Sequence, residues 1–247
     1  MGADVRIRRS DLAHAFLRCF AVQGSWNYRS YLAGGLAYAL LPLLRRIHAG
    51  HPEALREAVE RHLRPFNAHP YLASMAVGAL ARMERDGAEG EEIRRVRRAL
   101  IGPLGAAGDR MVWTGWRPTC LLAAVAAYTL GAGPWTAVLL FLSLYNAGHL
   151  VLRAWAFRRG WRDGPRAAAL LSGPAWRRVS RGLAGAAGGL SGAAAALVAL
   201  QAVPGGGPAI VAGAALAGLG TGLRWPSAGG RAAAPLAAAA LAAAVLA

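Results

Sequence analysis

The sequence predicts an all-α, polytopic membrane protein with re-entrant hairpins and an amphipathic N-terminal helix. Three long stretches carry no Asp, Glu, Lys or Arg, namely residues 118–152, 182–223 and 232–247. A membrane-spanning helix needs about 20 mainly apolar residues, so the first two stretches are candidates for two spans each. The charge elsewhere is predominantly basic, with 28 Lys and Arg against 12 Asp and Glu.

Charge and hydropathy divide the chain after residue 117. Residues 1–117 are predicted to form cytoplasm-facing helices and re-entrant hairpins, and residues 118–247 a membrane region of about five spans. Gly131–Pro134 and Pro204–Pro208 split the longer apolar stretches, because glycine and proline interrupt helices. The predicted spans are residues 118–132, 135–157, 182–203, 208–223 and 232–247.

The arginines predict the orientation in the membrane. Eight of them lie in residues 153–181, between two uncharged stretches, and short loops rich in Lys and Arg stay on the cytoplasmic side. The N-terminus and residues 153–181 are therefore expected in the cytoplasm, and the C-terminus outside the cell inner (plasma) membrane. Basic residues in these positions favour membrane lipid as a partner and argue against nucleic acid. Residues 1–20 mix charge with short apolar pieces, and no cleavable secretory signal is expected.

The N-terminal region begins with the amphipathic helix and continues into a polar-aromatic block. Ser10-Asp11 can cap the helix, whose apolar side chains recur at helical spacing at Leu12, Phe16, Leu17 and Phe20. The block Gln23-Gly-Ser-Trp-Asn-Tyr28 has neither a helical nor a strand period. It precedes the apolar piece Tyr31–Leu44, which is broken by Gly34-Gly35 and Pro42 and is too short to span, so a re-entrant segment is predicted.

A second block has the same arrangement. Residues Pro52–Arg64 predict a soluble-looking helix with a structural role. The turn Phe66-Asn-Ala-His-Pro70 then precedes another half-length apolar piece, Tyr71–Ala81. A polar-aromatic turn is thus twice followed by a short apolar segment.

The third block, Gly102–Asp109, is predicted to interrupt the helix before it. Each glycine costs about 1 kcal/mol in a helix interior and proline about 3. A buried polar hairpin in which Arg117 holds the Asp109 carboxylate is one interpretation, and a surface loop before a membrane helix is the other. The residues alone leave both open. The predicted hairpin residues are Gly102, Pro103, Gly105 and Gly108.

The motifs of catalysis are missing from the sequence. It contains no Ser/His/Asp order, phosphate-binding loop, zinc-ligand spacing or paired catalytic carboxylates. The six histidines are scattered singly, and Cys19 and Cys120 are expected to be packing residues. Asn146 and His149, one turn apart in a predicted span, favour a hydrogen bond between helices over a ligand contact. The chain is therefore expected to be neither an enzyme nor a holder of a metal or cofactor.

The three blocks together resemble the signature segments of the IID membrane component of mannose/fructose/sorbose-type sugar phosphotransferase systems. Their order and spacing agree across approximately residues 10–165. The resemblance implies a subunit that joins a IIC subunit in the membrane to translocate a hexose. Phosphate would reach the sugar through the cytoplasmic IIA and IIB components, and IID itself would carry no phosphohistidine.

Candidate substrate-binding residues follow from the blocks. Trp26 can stack on a sugar face, while Gln, Asn, His and Asp side chains offer the donors and acceptors that hydroxyls require. Two alternatives stay open: a non-transporting regulatory or scaffold IID-like protein of a reduced phosphotransferase system, and a basic membrane-surface protein that recruits anionic lipid or nucleic acid. The candidates are Gln23, Trp26, Asn27, Asn67, His69, Asp109 and Arg117.

Overall fold

A computed structural model of the chain describes residues 6–202, together with residues 213 and 217. Every regular element within them is helical, which confirms the all-α class. The last two predicted spans, residues 208–223 and 232–247, lie outside the described residues, apart from 213 and 217.

The first half of the chain forms four short helices, α1 to α4. Helix α1 begins one residue before Ser10, and the backbone N–H of Arg8 donates to the Asp11 carboxylate at 2.9 Å, so Asp11 does help to cap it. The chain then continues through a 3₁₀ turn, Cys19–Ala21. The bounds are α1 Arg9–Arg18, α2 Ala33–Ile47, α3 Pro52–His62 and α4 Ala73–Arg85.

Longer helices follow. Helix α6 covers the first predicted span up to Thr129, three residues short of its predicted end, and α7 covers the second. Helix α8 begins at Pro174, before the predicted start of the third span at residue 182. A π-helical segment, Asp109–Trp116, precedes α6, and a 3₁₀ segment, Gly164–Ser172, follows α7. The bounds are α5 Gly90–Gly108, α6 Arg117–Thr129, α7 Pro134–Asp163 and α8 Pro174–Ala202.

Packing divides the chain into two units that differ from the division predicted after residue 117. Among the described residues, the first unit comprises residues 6–108 and 149–173, and the second comprises residues 109–148 and those from 174 onwards. Helix α7 contributes residues to both. The predicted boundary followed charge and hydropathy along the chain, whereas the units follow contacts between segments distant in sequence.

Helix α2 runs without interruption through Gly34, Gly35 and Pro42, so the predicted break in this apolar piece is absent. A Cβ atom on Gly35 would meet the backbone of Val22, which shows that the glycine serves close approach of the chain. Most of the helix is buried, including Leu36, Leu40 and Leu43. Burial of these leucines outweighs the low helix propensity of the glycines and proline.

The break predicted at residues 102–108 is also wrong, because Gly102, Pro103, Gly105 and Gly108 all lie within α5. Leu104 is fully buried on this helix, so tertiary packing again outweighs propensity. The irregular backbone expected in this region is displaced towards the C-terminus. It begins at Asp109 as the π-helical segment, a conformation that is rare and frequent at functional sites.

The arginine-rich segment predicted as a cytoplasmic loop is largely helical. Arg153 through Arg162 belong to α7, and Arg153 is only 4% exposed. Within the described residues, one helical stretch, Pro134–Ser172, is long and apolar enough to cross a membrane by length and composition. The basic residues therefore continue a candidate span, and one of them is part of the core of the first unit.

Candidate functional site

Two of the three sequence blocks meet in the first unit. We call residues 22–32 the first motif loop and residues 63–72 the second motif loop. The backbone N–H of Leu32 donates to the Phe66 carbonyl at 2.8 Å, and the N–H of Phe66 donates to the Ser30 carbonyl at 3.2 Å. Phe66 is fully buried below this bridge. The structure therefore joins the Gln23–Tyr28 block to the block that carries Asn67 and His69.

Asn27 organises the first motif loop. Its Oδ1 accepts the backbone N–H groups of Arg29 and Ser30, both at 3.0 Å. Its Nδ2 donates to the Ser25 carbonyl at 3.0 Å and to the Ser30 Oγ at 2.8 Å. An asparagine that bonds to backbone two and three residues ahead forms a tight Asx turn. Asn27 is thus hydrogen-bonded within its own loop and fixes the backbone that carries the neighbouring side chains.

An aromatic pair is exposed on the same loop. The rings of Trp26 and Tyr28 meet edge to face, with centroids 4.8 Å apart, and the residues are 45% and 83% exposed. Gln23 and Asn67 are exposed as well. Exposed aromatic faces beside amide groups can bind a ligand that has both apolar faces and hydroxyl groups.

His69 differs from the other candidates of this unit because it is almost fully buried. Its Nδ1 accepts the backbone N–H of Tyr71 at 3.2 Å, and a Cβ on Gly108 would meet its ring. Burial, and secondarily the positive charge of Arg153, lowers the pKa of His69 to about 4. The ring is therefore neutral at pH 7 and orders the second motif loop.

A buried network of charged side chains contacts the second motif loop near its start. Glu84 lies between His62, whose Nε2 is 2.8 Å from Oε1, and His48, whose Nε2 is 3.3 Å from Oε2. Arg97 donates to the carbonyls of His62 and Arg64 at the end of α3, and to the Pro65 carbonyl at 3.2 Å. A cation at these carbonyls compensates the helix dipole. Burial lowers the pKa of Arg97 to about 10, so it stays charged at pH 7.

The two buried histidines make stability depend on pH. Burial lowers the pKa of His62 despite its hydrogen bond with Glu84, and His69 is lowered to about 4. A histidine with a depressed folded pKa contributes stability that is present above its unfolded pKa and is lost as the pH falls. We therefore expect acidification from about pH 7 to about pH 5 to destabilise the protein, by about 2 kcal/mol from His69 alone.

Thermal unfolding of the purified protein across this pH range measures the effect. His69→Asn is the comparison, because Asn retains an acceptor near the position of Nδ1 but does not titrate. The pH profile of this variant should be flatter than that of the wild type. Equal losses in the two proteins would contradict the assignment to His69.

Of the third block, only Asp109 belongs to the second unit, where it begins the π-helical segment. Trp113 lies in the same segment, and Arg117 follows it as the first residue of α6. Asp109 and the Trp113 side chain are hydrogen-bonded. The Arg117 guanidinium lies over the Trp113 ring, 5.6 Å from its centroid. The predicted ion pair between Asp109 and Arg117 is absent from the ion pairs of the described residues, because both side chains engage Trp113 instead. Asp109 and Arg117 are exposed.

Sequence reasoning missed a cluster around Arg153 in the first unit. The Arg153 guanidinium lies 4.8 Å from the centroid of the Phe20 ring and 5.1 Å from that of Tyr71. The ring of His149 stacks on Tyr71 at 4.9 Å. His149 and Arg153 are four residues apart, a spacing that places both on one face of a helix. That spacing was the available signal, but Arg153 was counted with the basic residues 153–181 as a mark of the cytoplasmic side, although it also fell at the end of the predicted span 135–157.

The remaining expectations about polar and sulfur side chains have mixed outcomes. Asn146 donates to the Leu142 carbonyl of its own helix at 2.7 Å, and not to another helix as predicted. Cys19 and Cys120 are buried thiols, as expected of packing residues. Among the described residues, no group of three or more His, Cys, Asp or Glu could hold a metal ion.

Comparison with known proteins identifies relatives across most of the chain. The PTS system mannose/fructose/sorbose family IID component profile matches residues 6–188. The mannose-specific EIID component of Escherichia coli K12 is 32% identical over 166 residues, covering 65% of this chain and 58% of that protein. The fructose permease IID component of Bacillus subtilis 168 is 30% identical over 188 residues, covering 74% of this chain and 67% of that protein.

Solved structures give the same relationship. The cryo-EM structure of the mannose transporter ManYZ in complex with microcin E492 is similar with a TM-score of 0.61 and 26% identity, over 77% of this chain and 71% of that one. Another membrane protein structure matches with a TM-score of 0.63 and 30% identity, over 72% of this chain and 66% of that one. The profile match spans both motif loops, the π-helical segment and α7. The chain therefore belongs to the IID component family of mannose/fructose/sorbose phosphotransferase systems.

Proposed function

We propose that this protein is a membrane subunit of a mannose-type sugar phosphotransferase system, acting with a IIC subunit to bind and translocate a hexose. The observation that carries the proposal is the junction of the two motif loops at the Leu32–Phe66 bridge, within a profile match over residues 6–188. The matched relatives include mannose- and fructose-specific components. Because the chain spans 58% of the length of the E. coli relative, its activity and partners remain proposals.

The chemistry of the loops supports a role in holding the sugar. Trp26 and Tyr28 offer ring faces against the apolar side of a pyranose. Gln23 and Asn67 offer amide donors and acceptors to its hydroxyls. Asn27 and His69 then keep the loops in shape. Phosphoryl transfer belongs in this proposal to IIB, supplied by IIA, so the chain itself is a non-catalytic subunit.

The membrane arrangement is part of the proposal. We infer a multi-pass protein of the inner (plasma) membrane with its N-terminus in the cytoplasm, in which the loops and the π-helical segment line re-entrant parts of the fold. The candidate span Pro134–Ser172 and the similarity to ManYZ support membrane insertion. Irregular backbone at membrane depth is tolerated where protein or a watery cavity covers it, and a IIC subunit would supply that cover.

Reconstitution in a host that lacks its own mannose-type system tests the function. The chain is co-expressed with IIC, IIB and IIA subunits from the same source, and uptake of mannose, fructose and sorbose is measured with phosphoenolpyruvate as phosphate donor. We expect uptake of at least one hexose, and none when this chain is omitted. Assembly with IIC without uptake of any sugar would favour the regulatory alternative.

Cysteine labelling tests the orientation. Ser172 is exposed at the end of the 3₁₀ segment, whereas Cys19 and Cys120 are buried, so a Ser172→Cys probe can be read against a low background. Because basic segments remain in the cytoplasm, an impermeant thiol reagent should label this variant in opened vesicles and not in intact cells. Labelling in intact cells would overturn the orientation.

A further inference from the structure

Arg153 is a buried arginine in the candidate span Pro134–Ser172. Ionisable residues within membrane segments are costly, and those that persist are paired and functional by default. The groups that contact the Arg153 guanidinium therefore indicate what this residue does.

The guanidinium of Arg153 contacts the two motif regions at once. Its Nη1 donates to the Cys19 carbonyl at 2.5 Å, just before the first motif loop, and to the Pro70 carbonyl of the second motif loop at 3.3 Å. The guanidinium also contacts the rings of Phe20, which follows Cys19, and of Tyr71, which follows Pro70. Each motif region thus contributes one carbonyl and the neighbouring aromatic ring.

The backbone that carries Arg153 is held firmly against α4. The Ser74 Oγ donates to the Arg153 carbonyl at 3.0 Å. Further along, a Cβ on Gly160 would meet the Met75 carbonyl, and a Cβ on Gly78 would meet the Phe157 carbonyl. Glycine at these two positions lets the backbones of α4 and α7 approach closely. The position from which the guanidinium reaches the loops is therefore set by helix packing.

We propose that Arg153 is a positioning residue for the sugar site, which fixes the spacing of the two motif loops without touching the substrate. The Leu32–Phe66 bridge joins the loops at one point, and Arg153 joins the second motif loop to the 3₁₀ turn that leads directly into the first motif loop. Two fixed points define the relative orientation of Trp26 and Asn67, whereas one leaves a hinge. This inference rests on the proposed sugar-binding function.

Lysine cannot replace Arg153 in this role. An ammonium group is a compact point charge, while the guanidinium is a planar fork that donates in fixed directions and stacks on aromatic rings. Arg153→Lys retains the charge and much of the volume but loses this geometry. Arg153→Met also removes the charge. The matched control is Arg159 of the same helix, which forms a more exposed ion pair with Asp163 at 3.4 Å.

The experiment uses the chain co-assembled with IIC, IIB and IIA. For Arg153→Lys we expect normal assembly, an apparent KM for the sugar raised about tenfold, and a maximal uptake rate within about twofold of wild type, because misplacing binding groups weakens the sugar complex. Arg153→Met should raise the KM further. Arg159→Lys and Arg159→Met should leave both parameters unchanged. An unchanged KM in Arg153→Lys, or failure of both Arg153 variants to assemble, would overturn the proposal.

Hydrogen exchange provides a readout that does not depend on transport. In Arg153→Lys, the rate of amide hydrogen exchange should rise in the first motif loop and in residues 66–72 of the second motif loop, and it should stay unchanged in α3. Arg159→Lys should leave the exchange rates of both loops and of α3 unchanged. If the wild type transports no sugar but exchange rises as expected, the proposed function fails and the positioning role stands. If the wild type transports sugar and neither exchange nor KM changes in Arg153→Lys, the positioning role fails.

Discussion

Replacing Gly160 by alanine is expected to destabilise the protein by about 3 kcal/mol, near the upper end of overpacking effects. The new Cβ would meet the Met75 carbonyl. This carbonyl belongs to the backbone of α4, which cannot move out of the way as a flexible side chain can. Helix α4 is almost entirely buried, so the displacement would spread through the core of the first unit. Loss of assembled complex should accompany the loss of stability.

Gly105→Ala is the matched control, since Gly105 is also helical but has nothing near its Cβ position. Alanine is favoured over glycine in a helix by about 1 kcal/mol, so this variant should be slightly more stable than wild type. Thermal unfolding and the yield of assembled complex report both effects. A stable Gly160→Ala protein would contradict the close contact of α4 and α7, and a destabilised Gly105→Ala protein would contradict the helical conformation of residues 102–108.

Replacing Asp109 by asparagine should abolish most phosphoenolpyruvate-dependent uptake while leaving assembly with IIC intact. Asn preserves the shape of the side chain and an acceptor for Trp113, but it removes the negative charge. A hydrogen bond to a charged group is worth about 1.5–3 kcal/mol, so a site that uses the carboxylate should lose about tenfold or more in uptake rate. Trp113 engages Arg117 as well, and the loss of charge would also alter the field around that guanidinium.

Asp86→Asn is the control for Asp109→Asn, because Asp86 forms exposed ion pairs with Arg82 and Arg85. Exposed pairs contribute little, so its uptake and assembly should match the wild type. Normal uptake by an assembled Asp109→Asn protein would show that Asp109 has no transport role. Loss of assembly together with uptake would make it a structural residue.

The chemistry of the candidate site could be recognised from the sequence more easily than its geometry. The first polar-aromatic block lacks a helical or strand period and the second was predicted as a turn, and they do form the loops that precede α2 and α4. Residue type did not indicate which loop residues hold the loop in shape and which are exposed for contact with a ligand. Asn27 and His69 look like ligand groups in the sequence, yet one bonds within its own turn and the other is buried.

Helix breaks were the least predictable feature. Gly34, Gly35 and Pro42 in α2, and the glycines with Pro103 in α5, all have low helix propensity. Propensity is a local preference of about 1 kcal/mol for glycine and about 3 for proline. Burial of several leucines on the same helix exceeds these costs, and that burial depends on partners distant in sequence.

Amino-acid order by itself determined the all-α class, the membrane character, the family and the two motif loops, because apolar periodicity, charge spacing and motif order are properties of the chain. Tertiary structure decided that α2 and α5 continue through their glycines, that Trp113 stands between Asp109 and Arg117, and that Arg153 is a core residue. Each of these outcomes depends on contacts between residues far apart in sequence or on a rare helical conformation. Arg153 shows the difference most directly: its charge was evident from the sequence, but the positioning role proposed for it rests on the two carbonyls and two rings that the fold places around it.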